Sequence, residues 1–181
     1  MRGQAVDGAD PGGTRAAALR AAFDRAFAEP PAPERGAPLD FLSVRLGGDP
    51  FAIRLTDTAG LFADRKITPV PTTVAEFRGV SGFRGVLVPV YDLGALLGYA
   101  PLQSGRWLVL AAGGALAFVF DAFEGHIRVP PEGVSARRDS GSAHGVHEIA
   151  RLGDRAWPVI DIPAAVEAIR ARLPRSNASK E

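Results

Sequence analysis

Two stretches of this 181-residue chain repeat one another, and any fold for it has to accommodate both copies. Pro89-Val90-Tyr91-Asp92-Leu93-Gly94-Ala95 is echoed by Pro158-Val159-Ile160-Asp161-Ile162-Pro163-Ala164. Upstream, Phe41-Leu42 leads to Gly47-Gly48 as Trp107-Leu108 leads to Gly113-Gly114. Leu42, Val44 and Leu46 alternate with Ser43 and Arg45, and Phe51, Ile53 and Leu55 alternate with Ala52, Arg54 and Thr56 across a Gly47-Gly48-Asp49-Pro50 turn. A period of two belongs to a strand with one buried face, so this segment predicts an antiparallel hairpin. Residues 106–111 and 115–120 predict a second hairpin across Gly113-Gly114, and residues 146–152 and 155–160 a third around Gly153-Asp154. Shorter strand-like pieces lie at 67–70, 86–91 and 125–129. Many short strands with frequent Gly and Pro turns predict small closed or nearly closed barrels, two of them related by the repeat.

The aspartates of the repeat, Asp92 and Asp161, each precede a short helical segment. Capping is their economical role, although paired carboxylates can also do acid–base work. Pro163 suits the first turn of a helix that runs to about residue 173. At the other end, residues 1–13 read as a disordered tail and residues 14–29 as an amphipathic helix with Leu19, Phe23 and Phe27 on one stripe. Residues 30–38 read as a proline-rich linker. The helix can dock on its own domain or on a partner. Residues 174–181 read as a flexible tail.

Twenty-one basic and 20 acidic residues leave a net charge of +1, which offers no global field for nucleic acid or anionic lipid. The absence of cysteine removes disulfides, thiolate metal ligands and thiol nucleophiles, and fits a cytoplasmic setting. No stretch reads as a signal peptide or as a membrane-spanning helix. His144 and His147 lie three apart but without a third ligand at a recognisable spacing, so no metal site is predicted. Ser81 is out of frame for a nucleophile elbow, which needs G-x-S-x-G. Gly79, Gly82 and Gly85 match no phosphate-binding or dinucleotide loop and are followed by a strand, so no cofactor is predicted. They read as glycines that permit tight bends at a barrel corner. The same corner holds Arg84, unmatched in the second copy, beside Phe83. Arginine and aromatic residues dominate interface hot spots.

Taken together, Gly79-Val80-x-x-x-Arg84-Gly85-x-x-x-Pro89-Val90-x-Asp92-Leu93 resembles the signature of the CheW-like coupling domain of bacterial chemosensory systems. The lead-in Ile67-Thr68-Pro69-Val70-Pro71, the Phe120-Asp121 pair before Gly125, and the closing Val159-Ile160-Asp161 fit it as well. The resemblance spans about residues 40–170 and places the domain at 39–173. It implies a mainly β fold of two packed SH3-like five-stranded barrels with short helices. It also implies a non-catalytic cytoplasmic adaptor between methyl-accepting chemoreceptor cytoplasmic tips and the regulatory domain of a CheA-type histidine kinase, with other CheW-like domains as further candidate partners. Barrel ends would contact the kinase and a groove between the barrels the receptor helices. An arginine important for partner binding falls at Arg84, and the expected partner-binding set is Arg84, Phe83, Gly82, Val80 and Gly85. This chain has Gly82 and Phe83 where the family commonly has Asn and Leu, Gly60 at an often acidic place, and Gly94 at a basic one. Those differences keep a second expectation open: a regulatory module that binds other signalling proteins without a kinase.

Overall fold

The computed structural model describes residues 36–114, 116–137 and 145–172. The expected amino-terminal tail and helix, residues 30–35 of the proline-rich linker, His144 and the carboxy-terminal tail lie outside these residues.

The three hairpins read from the alternation are all present. They are β1 (Leu39–Leu46) with β2 (Asp49–Arg54), β6 (Trp107–Ala111) with β7 (Ala117–Phe120), and β10 (Val146–Leu152) with β11 (Arg155–Ile160). The remaining strands are β3 (Thr58–Ala63), β4 (Phe77–Phe83), β5 (Val86–Asp92), β8 (Ala122–Val129) and β9 (Val134–Ala136). Helix α1 (Leu93–Leu96) ends the first copy of the repeat and α2 (Ile162–Arg172) the second. The protein is mainly β, and none of its described helices is long and apolar enough to cross a membrane.

Two sheets form, ordered β8-β1-β2-β11-β10-β9 and β3-β6-β7-β5-β4. This corrects the expectation of two consecutive, five-stranded units. One sheet has six strands, and each sheet draws its first hairpin from one copy of the repeat and its other strands from the other copy. Parallel pairing seals each exchange: Ala52 and Ile53 of β2 lie beside Val159 and Ile160 of β11, while Val90, Tyr91 and Asp92 of β5 lie beside Ala117, Phe118 and Val119 of β7.

The exchange explains how so many strands are apolar on both faces. One core lies within the six-stranded sheet and contains Phe41, Ala52, Val129, Ala150, Trp157 and Val159. A second lies within the five-stranded sheet, with Phe83, Val88, Val90, Leu108, Ala117 and Val119. A third joins the two sheets through Leu42, Val44, Ile53, Phe118, Phe120 and Ile160, among others. Alternate residues of one strand therefore enter different cores: Ala117 and Val119 of β7 face their own sheet's core, and Phe118 and Phe120 face the shared one. All four are buried, which is why the apolar run around them reads as continuous.

The edge of the five-stranded sheet is closed by a crossing chain. Thr68 exchanges two backbone hydrogen bonds with Val80 of β4, at 2.8 and 2.9 Å, in the position that β9 takes against β10 in the other sheet. The expected strand at 67–70 shrinks to this single bridge, because Pro69 and Pro71 have no N–H to continue a ladder.

The two repeated aspartates cap their helices as expected. Asp92 Oδ1 accepts the Ala95 N–H at 3.1 Å, and Asp161 Oδ1 accepts the Ala164 N–H at 2.8 Å. Asp92 does more than its counterpart. It is fully buried, and its Oδ2 accepts the Leu102 N–H at 2.8 Å, tying the chain that leads into β6 back to the end of β5.

Glu124 occupies a bulge in β8 where it pairs with β1. Its carboxylate accepts from Arg45 Nε at 2.6 Å and from the buried Ser43 Oγ at 3.0 Å. The hydrogen bond from Arg45, aided by that from Ser43, holds its pKa below the ordinary 4.5. A carboxyl whose pKa is lowered by folding stabilises the fold when ionised, and that contribution is lost as pH falls through 4.5 and below. Glu124→Gln should therefore flatten the acid limb of the stability–pH curve while changing it little in slope above pH 6, as urea titrations across pH would show.

Candidate functional site: the β4–β5 corner and an apolar groove

β4 and β5 meet in a two-residue turn, Arg84-Gly85, flanked by the pair Phe83 and Val86. Both turn residues have positive φ, +48° for Arg84 and +83° for Gly85. Such a turn matches the twist of a hairpin and favours Gly, Asn or Asp at both places. Gly85 meets that need; Arg84 does not. A non-glycine residue held in the left-handed region costs about 1–2 kcal/mol. The equivalent turn in the second copy, between β10 and β11, places Gly153 at the first position, with φ of +59°. The first copy thus puts an arginine where the second puts a glycine. Arg84 is exposed, and among the described residues it makes no ion pair, side-chain hydrogen bond or ring contact that would offset the strain.

The other expected site residues divide. Gly82 is exposed and Val80 half-buried on the same strand. Phe83 does not join them at the surface. It is 5% exposed and packs edge-to-face on Phe62 with ring centroids 5.0 Å apart, so its side chain belongs to the core. Alternation along β4 explains this: Ser81 and Phe83 point inward with Val88, leaving Val80 and Gly82 on the opposite face. The three glycines also differ from one another. Gly79, at φ of +124°, lies directly under the Thr68 carbonyl, and Gly85 is fixed by the turn. A Cβ on Gly82 would meet nothing, so neither sterics nor backbone requires glycine there.

Two residues at the corner were read only as strand. Val86 is 62% and Leu87 73% exposed, the most exposed large aliphatic side chains among the described residues. Leu87 lies opposite Gly82 in the ladder and so has no cross-strand side chain to cover it. The Gly82–Leu87 pairing was the one signal that could have found it.

A second feature lies where the ends of the two copies meet. Leu93, Leu96 and Leu97 from the α1 region face Ile160, Ala164 and Ala168 from the α2 region across a cleft of about 250 Å³. Leu97 also lines a neighbouring groove of about 480 Å³ with Pro50, Phe51, Tyr99, Val146 and Pro158. Tyr99 is fixed at the rim by donating its hydroxyl to Asp49 at 2.7 Å; burial, with Asp49 beside it, pushes its pKa up to about 12. The floor is apolar and the rim carries Asp49 and Arg137, a surface suited to an amphipathic segment.

The class this geometry defines is a two-sheet β scaffold whose distinctive surfaces are a strained cationic hairpin tip and an apolar groove. The family model described as CheW-like domain matches residues 40–170, and the chain belongs to that family. Among solved structures it is similar to the scaffolding protein TtCheW from Thermoanaerobacter tengcongensis, with a TM-score of 0.62 and 19% identity over 68% of this chain and 88% of that one. No curated protein matches it significantly.

Proposed function

We propose that the protein is a non-catalytic cytoplasmic adaptor of a chemosensory system, coupling chemoreceptor cytoplasmic tips to the regulatory domain of a CheA-type histidine kinase. In this reading each sheet is the SH3-like barrel that the family resemblance implies. The adaptor works by position: two simultaneous contacts raise the effective concentration of kinase at receptor and favour one kinase conformation over another. The receptor-facing patch is assigned to Arg84, with Gly82, Val80 and Gly85 shaping the surface around it. Phe83 acts from below by fixing the hairpin. The apolar groove lined by Phe51, Leu97, Val146 and Pro158 supplies the docking surface for a receptor helix.

The observation that carries the reading is Arg84 itself. A residue held in a left-handed turn at a cost of about 1 kcal/mol, with no ion pair, side-chain hydrogen bond or ring contact among the described residues to offset it, fits a surface kept for a partner. Two substitutions separate stability from binding. Arg84→Gly should raise the melting temperature by about 2–4 °C, because glycine relieves the turn, yet weaken binding of a receptor-tip fragment about tenfold or more. Arg84→Glu should weaken binding further without unfolding the protein. Equal affinity of wild type and both variants in a calorimetric titration would remove Arg84 from the contact.

A further inference from the structure

We infer that the partner segment seated on the Arg84 corner is an acidic one with aliphatic side chains, and that Arg65, Lys66, Val86 and Leu87 recognise it alongside Arg84. The inference rests on the adaptor reading and names the chemistry of the partner at that site. The net charge of +1 conceals a local segregation. The loop after β3 is fastened to β4 beside the corner, where the Ser81 hydroxyl donates to the Lys66 carbonyl oxygen at 2.9 Å. The Arg65 guanidinium lies 5.1 Å from the Phe62 ring centroid and 5.6 Å from that of Phe83, the residue next to Arg84. Two aromatic faces thus fix one cation at the base of the turn that carries another.

Among the described residues, neither Arg65, Lys66 nor Arg84 is paired with a carboxylate. The acid adjoining this group, Asp64, is already engaged by Arg106 at 3.2 Å. Three unneutralised cations gathered at one end of a sheet repel each other and are complemented by carboxylates on a partner. Beside them Val86 and Leu87 present aliphatic surface that the sheet itself does not cover. Val86 lies across from inward-facing Phe83 and Leu87 across from Gly82, so the tip bares aliphatic surface on both faces of the hairpin, and a segment offering apolar anchors as well as acids matches it better than either alone.

The test uses the full chain with a receptor-tip fragment and, separately, a kinase regulatory domain, following association rates at about 0.1 M and about 1 M salt, where the Debye length falls from about 10 to about 3 Å. Lys66→Glu, a change at an exposed side chain, should slow association and weaken binding of the receptor-tip fragment about tenfold at low salt, leaving the kinase domain unaffected. The difference from wild type should shrink at high salt. Leu87→Ser should weaken the same partner at both salt concentrations. Melting curves check that both variants fold. If wild type binds but Lys66→Glu and Leu87→Ser bind as wild type does, this inference is overturned while the adaptor reading stands. If wild type binds neither partner, the adaptor reading falls and takes the inference with it. Binding to phosphatidylglycerol vesicles that Lys66→Glu abolishes, without any effect on the protein partners, overturns it in favour of a lipid surface.

Discussion

Replacing Gly79 by alanine should be among the most damaging single changes to this domain, destabilising it by about 3–5 kcal/mol. Gly79 sits at φ of +124°, which side-chain-bearing residues rarely adopt. An added Cβ would be driven into the Thr68 carbonyl, 2.8 Å from its carbon and 2.9 Å from Pro69 Cα. Backbone cannot yield as a side-chain end can. Relief requires the crossing chain to lift off β4, which breaks both hydrogen bonds between Thr68 and Val80, worth about 1 kcal/mol each, and leaves the sheet edge open. The melting temperature should fall by roughly 10–15 °C. Gly82→Ala, three residues along the same strand, is the control: its Cβ meets open space, so its effect should stay within about 0.5 kcal/mol. Thermal and urea unfolding of the two variants side by side test the contrast.

The second large effect is expected at Asp92, and it should be unequal to that at its repeat counterpart. Asp92→Ala removes the acceptor for two N–H groups, of Ala95 and Leu102, at a fully buried site. Each buried donor left without a partner costs about 1–3 kcal/mol, so a loss of about 3–4 kcal/mol is expected. Asp161→Ala removes one acceptor, for Ala164, at a part-exposed site that water can reach. About 1 kcal/mol, the ordinary worth of an N-cap, is expected there. Asp92→Asn should fall between, because an amide can accept one of the two bonds but presents N–H to the other donor. Equal losses at 92 and 161 would mean that the Leu102 bond adds nothing.

Much of this architecture is legible in the sequence because it is local. Strict alternation and paired glycines give the β1–β2 and β6–β7 hairpins, and a Gly-Asp turn gives β10–β11. Aspartates at matching places give both helix caps. The exchange of hairpins between the two copies is invisible at that level. Ala52 and Ile53 pair with Val159 and Ile160, more than a hundred residues away, and nothing in the periodicity of either strand names its neighbour. A repeat in sequence shows that two similar units exist, not that each is built from contiguous chain.

Which side chains of the corner are exposed is only partly legible in the sequence, for a related reason. Flanking glycines at 82 and 85 make Phe83 look like an exposed anchor, whereas strand alternation sends it inward with Ser81. Leu87 has the opposite history: it sits within an apolar run, yet the absence of a side chain across the ladder at Gly82 leaves it bare. The positive φ of Arg84 could not be read from composition, since the turn preference runs against arginine. That mismatch between residue type and backbone is what gives the site its interest.

The adaptor account is tested most directly by mixing the full chain with a receptor-tip fragment and a kinase regulatory domain and resolving the mixture by sedimentation velocity. The account predicts one complex containing all three components, in which kinase domain and receptor tip travel together only when the chain is present, and which Arg84→Glu dissolves on the receptor side alone. Kinase domain and receptor tip that never share a boundary, whether the chain binds one of them or neither, would contradict it.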